Sequence, residues 1–452
     1  MLKDMEVSIE DMMEFRDMKN SILTDYLDRY PGSIVLSLGM NIPGPKKNND
    51  QILNGFFKGE DTLTELFEKK EYDIEDKVTL NSKAGNVGLF VLRNVNAEEL
   101  KKEAVGIEEN SSLGRLYDID VYRTDGTQVS RREIGFPGRK CLLCGQDAKI
   151  CGRSRAHSLE ELENKVNSIL DAEIIADTAR WALIEEVMTT PKPGLVDCCS
   201  NGAHKDMDLM TFVNSANALK PYFKKMALCG FNNYKEPKKI FQKIRSIGIE
   251  AEEAMYKATG GVNTHKGLIF SIGILSAASA AARKKYGRYS REDIFSIEQD
   301  MVKDILLKEL AEKKYCRPVT HGENVYRKYG ASGVRGEAVT GYQTVREVAL
   351  KELDEGIAAG HDFEDVKIQT FIALLANVED SNILSRSDID TLKKVQWMAG
   401  ELYRENGVYG NDSKAVLKSW DKLFIEWNIS PGGCADLLAI ALFIHRLTGG
   451  QI

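Results

Sequence analysis

The sequence predicts a multidomain chain, with an α+β domain over residues 1–170 and an all-α helical domain over residues 171–452. Three observations point there. At 452 residues the chain is longer than one hydrophobic core usually supports, which makes two domains the default expectation. β-rich runs, with a hairpin signal among them, lie before residue 135, and beyond Ser158 long segments of helical period replace them. No Gly- or Pro-rich linker marks the change, so a boundary near Leu170 rests on this shift of character, to within about ten residues.

Taken in order, Ser8 to Tyr30 carries Met12, Phe15, Met18, Ile22 and Tyr26 near a 3.6 period, an amphipathic helix that Pro31-Gly32 ends. Ser33 to Ile42 reads as a strand entering the non-helical loop Pro43-Gly44-Pro45-Lys46-Lys47. Leu89 to Val95 reads as another strand. Leu113 to Val121 and Gln128 to Ile134 flank Asp125-Gly126, which predicts a hairpin. Ser158 with Glu161 has capping-box spacing and should open the helical half. There, Ala172 to Thr189, Leu268 to Lys284 and Arg291 to Lys313 are expected helices. A final helix should start with Ser430 as N-cap and Pro431 at its first position. Its apolar stretch Leu437 to Leu447 is interrupted by His445 and Arg446 and is shorter than the ~18 residues of a membrane span, so a buried helix is expected.

A formal charge of −7 argues against a dedicated nucleic-acid binder, whose domains carry a basic excess. The first thirty residues lack a basic start followed by an apolar core, so no secretory signal is expected and the location should be cytoplasmic. Eight cysteines in such a chain are better read as metal ligands, chemistry or packing than as a disulfide framework.

In the first half, Asp118 and Asp120 stand at i and i+2 of an expected strand, with both carboxylates on one face. Such a pair can share Mg²⁺ across a polyphosphate, and a solvated strand face gives the same short pattern. Seven basic residues, among them Arg131, Arg132 and Arg139, stand against two acids between Arg131 and Arg155 and suit either pyrophosphate or an ordinary surface. Within that stretch Cys141, Cys144, Cys151 and His157 have the ligand types of a tetrahedral Zn²⁺ site. Reduced, metal-free thiols fit the spacing equally well.

In the second half, two polar runs bring together the inventory of a polyphosphate and divalent-metal site. One holds Lys192, Asp197, His204, Lys205, Asp206 and Asp208, and the other Asn263, His265 and Lys266. Gly260-Gly261 lead into a helix near His265, whose free N–H groups suit phosphate, although the Walker spacing is absent. Arg335 and Arg386 suit phosphate oxygens, or else ion pairs with Glu337 and Asp380. Asp436 should face the mouth of the last helix, where a carboxylate is also favoured simply by the helix start.

These motifs carry a resemblance over nearly the whole chain. Asn41-Ile-Pro-Gly-Pro-Lys46, Gly114-Arg-Leu-Tyr-Asp-Ile-Asp-Val121, Ser130-Arg131-Arg132 and the run from Arg139 to His157 resemble apo-citrate lyase phosphoribosyl-dephospho-CoA transferase. The remainder is similar to triphosphoribosyl-dephospho-CoA synthase. The matching residues are Glu186-Val187, Pro191-Lys-Pro-Gly-Leu-Val-Asp197, Gly202-Ala-His-Lys-Asp-Met207, Gly261-Val-Asn-Thr-His-Lys-Gly267, Arg335-Gly-Glu337 and Ser430-Pro-Gly-Gly-Cys-Ala-Asp436. The two families occur fused in this order. Cys434 is a departure, since serine is common there.

The resemblance implies a nucleotidyltransferase-like first domain and two reactions. In the second domain the 2′-hydroxyl of 3′-dephospho-CoA would attack C1′ of the ATP ribose and adenine would leave. In the first, a serine of the citrate lyase acyl carrier (gamma) subunit would attack the α-phosphorus of that product and release pyrophosphate. It also implies Mg²⁺ on Asp118 and Asp120 in one site and among Glu186, Asp197, Asp206 and Glu337 in the other. Substrate contacts would come from Lys46, Arg115, Arg131, Arg132 and Arg139, then from Lys192, Asn263, Lys266, Arg335, Arg386 and Asp436. A carboxylate such as Asp206, or His204, would accept the proton, with His265 also in the catalytic set. Neither nucleic acid nor membrane is an expected partner. Two other readings stay open: the same chemistry serving malonate decarboxylase, and a zinc-containing nucleotide sensor without turnover.

Overall fold

The computed structural model describes residues 6–313 and 321–450, and the chain divides into two compact units, Met1–Glu173 and Ile174–Ile452. The division falls inside one continuous helix, Leu159–Met188, whose start Ser158 and Glu161 cap reciprocally: the Glu161 N–H donates to Ser158 Oγ at 3.2 Å and the Ser158 N–H to Glu161 Oε2 at 2.8 Å.

The first unit is a small α+β structure around a four-stranded antiparallel sheet of order β2-β3-β1-β4. Its strands are β1 (Ile34–Met40), β2 (Asp73–Ser82), β3 (Gly85–Arg93) and β4 (Tyr117–Tyr122). Period-two alternation sorts the faces. Leu36, Leu38, Phe90, Leu92, Ile119 and Val121 pack against Phe56, Leu63 and Phe67 of helix Asp50–Lys70 and Leu100 and Ala104 of helix Ala97–Asn110. Val35, Leu89 and Val91 pack on the other face against Tyr26, Ile22 and Leu27 of helix Ile9–Arg29.

The expected hairpin is corrected. Gly114–Leu116 form a 3₁₀ turn before β4, and beyond Asp125-Gly126 only an isolated bridge, Tyr122 with Gln128, continues the pairing. The chain then turns at residues 131–135, where Ser130, Arg131 and Glu133 spend their side chains on bonds to one another and to Glu109 and Arg123 instead of extending a ladder.

The second unit contains helices and no strand among the described residues. Three of them, Lys266–Tyr286, Phe363–Asn377 and Gly432–Leu447, are buried almost all round, as befits sequences without a polar face. Close approach is built in, since a Cβ on Gly230 would lie 2.1 Å from the carbonyl oxygen of Ala277. The final helix starts at Gly432 rather than Pro431, and Ser430 Oγ does not cap it but bonds His204 Nε2 at 2.9 Å. Among the described residues no helix is long and apolar enough to cross a membrane.

Candidate active sites

On β4, Asp118 and Asp120 point to one face, opposite the buried Tyr117, Ile119 and Val121. Arg139 reaches this edge: its guanidinium lies 3.3 Å from Asp118 Oδ1 and 3.1 Å from Glu108 Oε1, and it donates to the carbonyl of Tyr117. Asp120 receives Gln128 Nε2 at 2.5 Å and has Lys19 Nζ at 4.0 Å. Burial, and then the neighbouring Asp118 carboxylate, push the Asp120 carboxyl above its ordinary range.

Arg131 is placed differently from the expectation. It pairs with Glu109 at 2.7 Å and with the buried Glu108, so its charge is already matched. Arg115 donates to the carbonyl of Lys140, while Arg132 and Lys46 are exposed. The loop bearing Lys46 starts beside β4, since the Asn41 N–H donates to the carbonyl of Leu116 at 2.7 Å. Farther along, one ligand atom from each of Cys141, Cys144, Cys151 and His157 lies within 4.8 Å of all the others, a group able to hold a metal ion.

In the helical unit a cavity of about 930 Å³ gathers Asn263, Lys266, Arg335, Glu337 and Asp436 in its wall. Lys266 opens the Lys266–Tyr286 helix, where its N–H donates to Asn263 Oδ1 at 3.2 Å and its ammonium meets Glu252 at 2.8 Å. Arg335 and Glu337 come from the short helix Gly333–Val339. Arg335 pairs with Glu309 at 3.1 Å rather than with Glu337. Glu337 instead accepts the Thr344 hydroxyl at 2.6 Å, and burial pushes its carboxyl up. Burial, with the charges of Glu186 and Asp380, pushes Asp436 well above the usual carboxylate range.

Asp380 is a wall residue that the sequence reasoning noticed only as a possible partner for Arg386. One oxygen caps helix Ser381–Arg386 through the N–H of Asn382 at 2.8 Å, and the other accepts the Cys434 N–H at 2.9 Å at the start of the last helix. Gly433 allows this, since a Cβ there would stand 2.9 Å from Asp380 Oδ2. Aspartate directly before a helical run was the available signal. The Cys434 thiol is buried, and desolvation beside Asp380 raises it well above its ordinary value.

The other expected residues lie outside the cavity wall. Lys192 is buried and donates to the Glu186 carboxylate and, at 2.6 Å, to the Glu186 carbonyl. Asp197 serves its own loop, accepting from Thr190 Oγ1 at 2.8 Å and from the N–H groups of Lys192, Cys199 and Ser200. Asp206 is exposed. His204 has Ser430 on one nitrogen and Arg386 at 3.4 Å on the other, and burial lowers its basicity. His265 is buried, bonds Ser215 Oγ at 2.8 Å, packs edge-on to Phe212, and is pushed down to about 3 by desolvation. It is a neutral core imidazole immediately before helix Lys266–Tyr286.

Residues 172–451 match the family described as CitG: ATP:dephospho-CoA triphosphoribosyl transferase, and residues 7–173 the family described as CitX: Apo-citrate lyase phosphoribosyl-dephospho-CoA transferase. The chain is 32% identical to Protein CitXG of Leuconostoc mesenteroides subsp. cremoris over 98% of both lengths. It is 33% identical to Protein CitXG of Haemophilus influenzae, over 98% of the chain and 97% of that protein. A 2-(5''-triphosphoribosyl)-3'-dephosphocoenzyme-A synthase of Haemophilus ducreyi is 36% identical over 68% of the chain and 99% of its own length.

Proposed function

The chain belongs to the CitXG family of fused CitX and CitG domains, and from that premise we propose how its two sites build and deliver one prosthetic group. It is a bifunctional transferase. The CitG half joins ATP to 3′-dephospho-CoA, giving 2′-(5″-triphosphoribosyl)-3′-dephospho-CoA and adenine. The CitX half transfers the product to apo-citrate lyase, with a serine of the acyl carrier subunit as acceptor and pyrophosphate as leaving group.

The observation that carries the residue assignment is the cavity wall, which gathers two cations, an amide and two half-buried carboxylates around one space. Its volume lies at the upper end of small-molecule sites, ~300–1,000 Å³, as a pair of nucleotide substrates requires. Lys266, Arg335 and Asn263, with the N-terminal N–H groups of helix Lys266–Tyr286, hold the triphosphate. With that tail fixed, the 2′-hydroxyl oxygen bonds to ribose C1′ while the C1′–adenine bond breaks with its electron pair going to the base; the hydroxyl proton passes to a carboxylate, and adenine takes up a proton as it leaves. Asp436 takes the hydroxyl proton in preference to His204, whose nitrogens face Ser430 and Arg386.

The burial that raises Glu337 is the penalty a divalent cation relieves, so Glu337 fits Mg²⁺ better than Asp197 or Glu186, whose oxygens serve their own surroundings, and Asp436 is left for the proton. Bound there, Mg²⁺ would offset triphosphate charge. In the first unit, the paired Asp118 and Asp120 fit the same ion, consistent with a nucleotidyltransferase-like sheet. Arg139 there orients Asp118, and the exposed Arg132 and Lys46 offer charge to the pyrophosphate.

The test is mass spectrometry of an apo acyl carrier subunit of citrate lyase incubated with this protein, ATP and dephospho-CoA. A serine-borne mass gain that needs both substrates is expected, and a carrier that stays unmodified would refute the proposal.

A further inference from the structure

Residues 141–157 touch the hydrophobic core only through the partly buried Leu142 and need something more to hold them. Of these seventeen positions only Cys141 and Cys151 are buried, while Leu143 and Ile150 are exposed. Small segments without a core are usually stapled by a disulfide or a metal. A disulfide is not the staple, since Cys141, Cys144 and Cys151 are all free, with Cys144 Sγ and Cys151 Sγ 3.4 Å apart, against about 2.05 Å for a bond. That spacing is close instead to the ~3.8 Å edge of a tetrahedron whose metal–sulfur distances are ~2.3 Å.

The geometry points to a structural Zn²⁺ site made by Cys141, Cys144, Cys151 and His157, which fixes the segment carrying Arg139 against β4. All four ligand atoms fall within one 4.8 Å group. The backbone shapes both hooks for it. Cys141 and Cys144 flank a tight turn that Gly145 closes at φ +73°, with the Leu143 N–H directed at Cys141 Sγ at 3.5 Å. Cys151 sits on helix Ala148–Ser154, which Asp147 caps, and His157 follows it. Independently, Nε2 of His157 is buried without a hydrogen-bond partner, an arrangement that costs free energy unless a ligand completes it. Three thiolates and an imidazole are a closed, soft donor set that favours zinc over magnesium.

The consequence reaches the transferase site. Arg139 lies two residues before Cys141, its carbonyl accepts the Ala148 N–H at 2.8 Å, and its guanidinium reaches Asp118. Arg115 holds the carbonyl of Lys140. Zinc would therefore keep Arg139 on the strand edge, acting as a clamp rather than in the chemistry. This inference rests on the cluster and stands whatever the chain transfers.

The full chain, purified in reducing buffer without chelator, is analysed for metal beside Cys144→Ser and His157→Ala. About one zinc ion per chain is expected. Each substitution should weaken binding by at least the ~100-fold that loss of outer-shell partners can produce. Replacement by Co²⁺ should give the intense visible bands of a tetrahedral thiolate site. In the variants trypsin should cut between Arg131 and Arg155 where the wild type resists, and adenine release by the helical half should be unchanged. Metal-free wild type, iron in place of zinc, or zinc content indifferent to both substitutions overturns the site. If zinc and protection come out as expected while the wild type loads no carrier, the functional proposal falls and the zinc site stands.

Discussion

Gly267 and Asp436 stand so close that a Cβ built on the glycine falls 2.1 Å from Asp436 Oδ2. The start of helix Lys266–Tyr286 and the Asp436 carboxylate therefore share one surface, and glycine is the residue that leaves room for both. Gly267→Ala should displace Asp436 and cut adenine release by about 100-fold, the scale of losing one positioned electrostatic group. Helix stability should not fall, because alanine is the better helix former by ~1 kcal/mol. Steady-state adenine release beside a thermal melt checks this; unaltered turnover would remove Asp436 from the reaction.

Lys192 and Glu186 give a test of structural against substrate-binding roles. Both are buried, so Lys192→Met leaves an uncompensated carboxylate at a cost of about 3–5 kcal/mol, and Lys192→Met with Glu186→Met should recover most of it. Denaturant unfolding of the two variants measures the difference. Normal stability with weakened ATP binding in the single variant would instead return Lys192 to the triphosphate.

The two halves should be separable at Asp118. Asp118→Asn removes a charge from the exposed face of β4 without touching its buried residues. Carrier loading should drop by about 100-fold or more, while adenine release stays at the wild-type rate. Parallel decline of both activities would contradict separate sites.

Glu298 gives the fold a pH signature. Its carboxyl is fully buried, neither oxygen has a hydrogen-bond partner, and desolvation pushes it up to about 9. An unfolded glutamate ionises near ~4.3. Between these values the unfolded chain binds fewer protons than the folded one, so this contribution is complete in acid and is lost as pH rises toward 9. Glu298→Gln mimics the neutral form and should melt higher than wild type at about pH 8, with the gap closing at about pH 4. A gap of the same size at both pH values would show that Glu298 is ionised in the fold.

Much of this molecule is visible in its sequence. The Arg291–Lys313 helix, the reciprocal cap at Ser158 and Glu161, and the buried last helix follow from period and capping chemistry. Helices Asp50–Lys70 and Ala97–Asn110 carry no comparably clear reading, and Gln128–Ile134 is pulled out of the sheet by ion pairs that only the folded chain creates. In the cavity, residue type marked Lys266, Arg335, Glu337 and Asp436 as polar outliers. It could not separate them from Lys192, Asp197 and His265, equally polar residues that lie outside the cavity wall and serve their own surroundings. Which side a charge faces depends on contacts between distant segments, and spacing does not record them.

The most direct measurement is product analysis after the protein is given ATP and 3′-dephospho-CoA together. Free adenine should appear in equal amount with consumed dephospho-CoA, and the triphosphate should remain intact on the product. ADP and phosphate without free adenine would contradict a site that holds the triphosphate still and breaks the bond between sugar and base.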